Sequence, residues 1–170
     1  MYDTGDQIIS EMDRIDGLRI LIVDDEPDIL KTLEDLLPKC EITTATTFEE
    51  GKTYIENQKF DLAILDIMGV DGYRLLDIAV ENEIIPVMLT AHALSPEDTM
   101  RSYKGGAASY VPKEEICNIP IFLDDILEAK ERGKSFWWRW LNRLGPFYDR
   151  RFGPDWQEGN EEFWKKLTYI

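Results

Sequence analysis

Acidic, hydroxyl and lysine side chains stand at the ends of four short apolar segments in this 170-residue chain. Asp24 and Asp25 end "LRILIVDD", Asp66 ends "FDLAILD", Thr90 ends "IPVMLT" and Lys113 ends "AASYVPK". Carboxylates that converge repel one another, so a cation must compensate them, either the lysine or a divalent metal. Oxygen ligands with room for water suit Mg²⁺. Two interpretations of Asp66 are open: it is a reactive carboxylate at a strand end, or it is only a turn residue.

The elements that would bring these residues together alternate along the chain. Five β-strands are predicted, at the four segments above and at "EITTAT", because each is a short, β-branched apolar run. Helices follow them, with starts indicated by Pro27, by the capping box Thr47 and Glu50, by Gly72, and by Ser95 before a proline. A last helix begins near residue 118. The pattern predicts an α/β protein with a parallel sheet covered by helices on both faces.

In such a sheet the ligand site lies at the carboxyl ends of the strands, where all the residues named above fall. The alternative is that acids after strands only cap the following helices, which suits Asp25 taken by itself. Capping explains neither Thr90 nor Lys113. The pattern thus favours one shared site.

Composition narrows the classes of protein that remain. The net charge of −15 argues against nonspecific nucleic-acid binding, and no apolar run approaches the length that spans a bilayer. The first residues lack the basic and apolar regions of a secretory signal, so a cytoplasmic protein is expected. Residues 130–170 hold 9 Lys and Arg against 6 Asp and Glu, together with all five tryptophans. The acidity therefore belongs to the first part of the chain and the tryptophans to the second.

Four sequence pieces resemble the receiver domain of two-component response regulators, over roughly residues 18–130. They are "LIVDDE", "LAILDIM", "VMLTA" and "GAASYVPK", in the order and at the strand ends that the family requires. The resemblance implies a flavodoxin-like, doubly wound sheet of five parallel strands in the order 2-1-3-4-5. Residues 1–17 would then be a leader, and residues 131–170 a mainly helical C-terminal extension, hereafter the extension.

The resemblance also implies roles for individual residues in a bacterial phosphorelay. Asp66 would accept a phosphoryl group from a sensor histidine kinase or a phosphotransfer protein, with Mg²⁺ or Mn²⁺ as cofactor. The signal would pass to a downstream protein or a second copy of the chain through a changed surface. The remaining implied roles are metal binding by Asp24, Asp25, Asp66 and the backbone carbonyl of Met68, phosphoryl contact by Thr90 and Lys113, and switching by Tyr110, whose alternative is a half-buried strand aromatic. His92, two residues after Thr90, is either a modulator of dephosphorylation or a surface histidine without a catalytic part, and the second is favoured.

Two features depart from the usual family pattern. "DIMGVDG" is about two residues shorter than expected and has Gly69 where receivers generally have proline. Pro112 precedes Lys113, whereas the family usually has proline after the lysine. The first departure predicts a tighter loop beside the acceptor, and the second an altered path of the loop after the fifth predicted strand.

The extension carries the candidate interface. The periodicity predicts that the helix from Asn118 continues through Trp137 and Trp140 to a stop at Gly145-Pro146, with Gly133 as a possible break. Asn160 would cap a short final helix. Three interpretations are open: the aromatic side chains pack within the chain, they form a dimer or partner surface, or "KSFWWRWLNRL" lies on a membrane, which its few basic charges disfavour. The interface candidates are Trp137, Trp138, Trp140, Trp156 and Trp164.

Two other functions compete with the response regulator. One is an α/β phosphohydrolase or phosphotransferase that turns over at Asp66. Ile67 and Met68 disfavour it, because such an enzyme needs a second acid or base there. The other is a pseudo-receiver scaffold that is never phosphorylated, which the complete acidic set disfavours. We therefore expect an acceptor with at most slow self-hydrolysis, and not an enzyme.

Overall fold

The structure is a computed structural model that describes residues 13–91 and 95–168. Five strands form one sheet: β1 (Arg19–Val23), β2 (Glu41–Ala45), β3 (Leu62–Asp66), β4 (Ile85–Thr90) and β5 (Ser109–Pro112). Seven α-helices accompany them: α1 (Pro27–Leu36), α2 (Phe48–Asn57), α3 (Gly72–Glu81), α4 (Pro96–Lys104), α5 (Ile119–Glu131), α6 (Trp137–Phe152) and α7 (Glu161–Thr168). Short 3-10 turns lie at Asp13–Ile15 and Lys113–Asn118.

The sheet has the predicted order β2-β1-β3-β4-β5, and every neighbouring pair is parallel. All five residues of β3 are buried, as are four of β1. A strand buried on both faces requires a continuous apolar run, which is the pattern that predicted these strands. The predicted fold class is confirmed.

Helix starts follow the predicted chemistry. Pro27 occupies the first turn of α1. The Thr47 side chain accepts a hydrogen bond from the Glu50 amide at 3.2 Å, and Ser95 accepts one from the Asp98 amide at 3.3 Å. These caps satisfy amides that have no partner within their own helices. They fix where each helix leaves the loop at the carboxyl end of a strand.

The helix that starts near residue 118 is not continuous, so the prediction of a single run to Gly145 is wrong, whereas the break named at Gly133 is confirmed. The chain breaks after α5, where Gly133 has a φ of +65° and the Lys134 amide donates to the Ala129 carbonyl. The expected stop at Gly145-Pro146 is also wrong, because both residues lie inside α6. An interior proline removes one helical hydrogen bond. The buried face of α6 compensates, since Leu144 and Tyr148 on either side are each 1% exposed.

The extension packs against α4, β5 and α5. The Trp137 indole N–H donates to the Ala107 carbonyl at 2.9 Å, and the Trp140 indole N–H donates to the Tyr110 carbonyl at 2.7 Å. The Trp140 bond joins α6 to the edge strand β5, and the Trp137 bond joins it to Ala107, two residues before that strand. We call this contact the aromatic dock. It comprises Trp137, Trp140 and Tyr148 with their partners Ala107, Tyr110 and Thr99.

Ion pairs and ring contacts hold α6 and α7 in place. Arg139 and Arg143 of α6 both reach the buried Asp125 of α5, with N–O distances of 3.1 and 3.0 Å to its Oδ1. Trp156 packs edge-on against Trp164 at 4.7 Å between ring centroids. Four of the five tryptophans are buried, and Trp138 is half-buried. The interpretation in which the aromatic side chains pack within the chain describes this arrangement.

The helices within the described residues are too short or too polar to cross a membrane. Helix α7 starts at Glu161, so Asn160 stands directly before it, at the predicted cap position. The first twelve residues of the predicted leader lie outside the described part of the chain.

Candidate functional site

The carboxyl ends of four strands place five predicted residues at one edge of the sheet. Asp24 and Asp25 directly follow β1, Asp66 and Thr90 are the last residues of β3 and β4, and Lys113 directly follows β5. Asp24, Asp66 and Thr90 are all almost fully buried. We call this group the strand-end site. Residues up to 89 positions apart in sequence meet here because parallel strands end at the same edge.

Lys113 is the cation at the centre of the strand-end site. Its ammonium lies 2.9 Å from Asp24 Oδ2 and 3.5 Å from Asp66 Oδ1. Both oxygens are buried and meet the lysine as ion pairs without an aligned hydrogen bond. One lysine therefore faces two carboxylates, which leaves the buried pair short of positive charge.

The pKa values of the two buried carboxyls reflect this shortage. Burial raises the pKa of Asp66 to about 7, the negative charge of Asp24 adds to the rise, and Lys113 opposes it. Burial also raises the pKa of Asp24, which the Glu26 amide and Lys113 partly offset. Burial lowers the pKa of Lys113, but its contacts with Asp24 and Asp66 outweigh burial and the net pKa is raised. Near neutral pH, Asp66 is thus poised between its charged and uncharged forms.

The donor set fits a divalent metal. Asp24, Asp25 and Asp66 can each offer one carboxylate oxygen, with the three oxygens within 4.8 Å of one another. Asp25 is exposed, so water has access to complete the coordination. Three anionic oxygens, two of them underpaired, suit a hard cation such as Mg²⁺. The predicted contribution of the Met68 carbonyl stays a prediction. The Met68 side chain is 62% exposed beside the site.

Two glycines allow the short loop after Asp66 to close against the site. Gly69 has a φ of +86°, and a Cβ there would lie 2.5 Å from Asp25 Oδ2. A Cβ at Gly72 would lie 2.2 Å from the Asp66 carbonyl oxygen. Both distances are far below van der Waals contact, so neither position accepts a side chain without movement. Gly69 therefore replaces the expected proline with a residue that permits both the backbone turn and the approach of Asp25.

Tyr110 lies within β5 and is buried, at 1% exposure. Its Cα is in register with Met88 of β4, and Pro112 is in register with Thr90. Burial strongly raises the pKa of the Tyr110 phenol, so it stays protonated. The structure thus puts the predicted switch residue one strand away from Thr90, while its switching role stays a prediction.

Glu26 belongs to the site but was missed by the sequence reasoning. Its carboxylate lies 3.5 Å from the Lys113 ammonium, and its amide donates to Asp24 Oδ1 at 2.8 Å. Its position directly after the acidic pair was the available signal. His92 lies outside the described residues, so its predicted influence on dephosphorylation stays a prediction.

Comparison with known proteins decides the family. Residues 20–118 match the family described as "Response regulator receiver domain". The chain belongs to the response regulator receiver family. Among curated proteins, this receiver is 35% identical over 129 residues to the two-component response regulator ARR10 of Arabidopsis thaliana. That match covers 68% of this chain and 23% of ARR10, so the chain spans about a quarter of that relative's length.

Solved receivers share the fold. A CheY-like receiver domain protein from Methanospirillum hungatei matches 69% of this chain and 98% of its own, with 32% identity and a TM-score of 0.62. The BeF3-activated receiver domain of DrrB from Thermotoga maritima matches 66% and 98%, with 25% identity and a TM-score of 0.59. The predicted family is confirmed. The domain boundaries at residues 18 and 130 stay predictions, as does the bacterial source, since the curated relative is a plant protein.

Proposed function

We propose that this receiver accepts a phosphoryl group on Asp66 from a histidine kinase or phosphotransfer protein and signals through a changed protein surface. The observation that carries the proposal is the position of the Lys113 ammonium between Asp24 and Asp66, 2.9 and 3.5 Å from their oxygens. It joins a nucleophilic carboxylate to a cation at the edge of the sheet where ligands bind. Family membership supports the same role for Asp66.

The transfer requires little covalent chemistry from the chain. An ionised Asp66 oxygen attacks phosphorus in line, the bond from phosphorus to the donor's imidazole nitrogen breaks, and that nitrogen keeps the electron pair. Lys113 offsets negative charge on the transferred oxygens, and the Thr90 hydroxyl donates a hydrogen bond to one of them. Burial and the charge of Asp24 raise the pKa of Asp66 in the metal-free site, and a bound divalent cation would favour the ionised, attacking form.

A divalent cation is part of the proposal. Asp24, Asp25 and Asp66 would hold it, and the bound cation would neutralise charge on the phosphoryl oxygens. Asp24 and Asp25 then act by binding and orientation alone. Lys113 is left to pair with the newly added group.

We infer an acceptor and not a turnover enzyme. Fast hydrolysis needs a group that activates water beside the nucleophile. The two residues after Asp66 are Ile67, which is buried, and Met68, which is apolar and exposed. Neither can take a proton from water, so the acyl phosphate should persist.

Intact mass spectrometry with time tests this function. The chain is incubated with Mg²⁺ and a small acyl phosphate donor, together with Asp66→Asn and the control Asp71→Asn. Asp71 is an exposed acid at the start of α3, and its left-handed backbone suits asparagine. We expect one phosphoryl group on the wild type and on Asp71→Asn, and none on Asp66→Asn.

The other functions give different results. Repeated donor hydrolysis without a persistent adduct would indicate the phosphohydrolase. Absence of any adduct, with the fold intact by circular dichroism, would indicate the scaffold. A persistent adduct on Asp66→Asn would move the acceptor to another residue.

A further inference from the structure

The aromatic dock contacts the segment of the chain that leads into Lys113. Trp137 and Trp140, three residues apart on α6, donate to the carbonyls of Ala107 and Tyr110, which are also three residues apart. Lys113 follows Tyr110 by three more residues. Two indole-to-carbonyl hydrogen bonds thus fix the extension to β5 and the residues just before it, and β5 leads into the strand-end site.

A second contact joins the dock to the helix beside β5. The Tyr148 hydroxyl of α6 and the Thr99 hydroxyl of α4 are 2.6 Å apart, and both side chains are buried. Tyr110 is linked to the same contact, because its carbonyl accepts from Trp140, whose ring packs against Tyr148 at 5.2 Å between ring centroids. The burial of Tyr110 and the docked position of α6 are therefore found together.

From this arrangement we infer that docking of the extension and phosphorylation of Asp66 stabilise each other, with the chain's own α6 and α7 as the occupant of the α4, β5 and α5 face. The inference rests on the proposed function. A phosphoryl group draws Thr90 and Lys113 toward Asp66, which leaves room for Tyr110 on the inside. The docked extension holds the backbone of Tyr110 by its carbonyl, with the Tyr110 ring buried. Both events thus favour one position of β5.

Thermodynamic linkage makes the coupling reciprocal. If docking favours the phosphorylated state, an analogue of the phosphoryl group must favour docking by the same factor. The effect of the analogue on docking and the effect of docking on the affinity for the analogue therefore test the same coupling free energy. The analogue chosen is beryllofluoride with Mg²⁺, because the DrrB receiver domain is described in a BeF3-activated form.

Tryptophan fluorescence measures the docking side of the coupling. All five tryptophans lie in the extension and none in residues 1–130, so quenching by acrylamide reports on the extension alone. We expect the quenching constant of the wild type to fall when beryllofluoride and Mg²⁺ are added. It should stay unchanged in Asp66→Asn.

Substitution of Trp140 measures how docking of the extension changes the affinity for beryllofluoride. Trp140→Phe keeps an aromatic ring but removes the hydrogen bond to Tyr110, whereas Trp138→Phe removes an indole N–H that has no hydrogen-bond partner in the described residues. The beryllofluoride affinity, followed by fluorine NMR, should fall about twofold to tenfold in Trp140→Phe, which is what one lost hydrogen bond allows. It should remain at the wild-type value in Trp138→Phe.

The possible results distinguish a failure of the coupling from a failure of the proposed phosphoacceptor function. A phosphoryl adduct by mass, with unchanged quenching in the wild type, overturns the coupling and leaves the acceptor in place. Tighter beryllofluoride binding in Trp140→Phe overturns the proposed sign. Failure of the wild type both to bind beryllofluoride and to form an adduct overturns the acceptor and the coupling together. The quenching measurement needs no dock variant, so it decides the question even if Trp140→Phe does not fold.

Discussion

The strand-end site and the aromatic dock meet at β5 and differ in their buried polar groups. These groups are charged at the site and neutral at the dock, where the Tyr110 hydroxyl is the one side-chain donor without a hydrogen-bond partner in the described residues. At the site, Asp24 and Asp66 share a single lysine and their facing oxygens make no aligned hydrogen bond. At the dock, the Trp137 and Trp140 indoles each donate to a backbone carbonyl. Underpaired buried charge costs stability and prepares a group for reaction, whereas satisfied hydrogen bonds under aromatic rings add stability. The contrast shows a reactive site next to a stabilising cover.

The largest effect is expected from removing the central ring of the dock. Trp140 is 2% exposed, packs against Trp137, Tyr148 and Trp164, and donates to Tyr110. Trp140→Ala should lower the free energy of unfolding by about 3–5 kcal/mol, because it leaves a cavity and an unpaired carbonyl. Urea unfolding measures this. Trp138→Ala, at a half-buried position on the same helix, should cost clearly less, and equal losses would show that the dock is no special source of stability.

A smaller change in the free energy of unfolding, in the stabilising direction, is expected when Asp66 of the strand-end site is replaced by asparagine. Burial, and then the charge of Asp24, raise the pKa of Asp66 to about 7 in the folded chain, above its value in the unfolded chain. The folded state therefore binds the proton more tightly, and stability falls as pH rises toward 7. Asp66→Asn removes this loss. In metal-free buffer it should be more stable than the wild type, with an advantage that grows by about 2 kcal/mol between pH 5 and 8 and then levels off.

Thermal or urea unfolding across that pH range checks the sign. Asp71→Asn, at an exposed acid, should show no such growth. An Asp66→Asn protein that is less stable than the wild type at pH 8 would mean that the Asp66 carboxylate contributes stability, and the contrast with the dock would disappear.

The smallest changes in the free energy of unfolding are expected from replacing Gly69 and, as its control, Gly145 by alanine. Gly69→Ala adds a Cβ 2.5 Å from Asp25 Oδ2 at a positive φ, so it should cost about 1–2 kcal/mol and weaken Mg²⁺ binding by displacing Asp25. The control is Gly145→Ala inside α6, where a Cβ meets nothing within 4 Å. That change should stabilise the chain by up to about 1 kcal/mol, since alanine favours helix over glycine. Urea unfolding and a Mg²⁺ titration measure both variants. Effects of the same sign would contradict the role of the loop.

Sequence reasoning reached most of the sheet and of the strand-end site because both depend on local patterns. Asp66 and Thr90 end apolar runs, and runs buried on both faces of a parallel sheet are easy to recognise. The Thr47 and Ser95 caps rest on hydrogen bonds to amides three residues away, so they too were predictable. Glu26 was missed because its partner Lys113 lies 87 residues further on, at a distance that no local pattern encodes.

The extension shows where local reasoning fails. Gly145-Pro146 is a common helix stop, yet α6 continues through it because Leu144 and Tyr148 gain more by burial than the helix loses at the proline. The helical periodicity of Trp137 and Trp140 identified an apolar face but not what covers it. Intramolecular packing, a partner and a membrane present the same sequence pattern.

The sequence by itself determined the succession of strands and helices in the receiver, the positions of the strand ends, and the set of acids, hydroxyl and lysine at those ends. Each of these depends on residues within a few positions of one another. Only the tertiary structure decided that Lys113 pairs with both Asp24 and Asp66, that Gly69 admits Asp25, and that α6 occupies the edge of β5. These contacts join distant segments, and their geometry arises when the whole core packs.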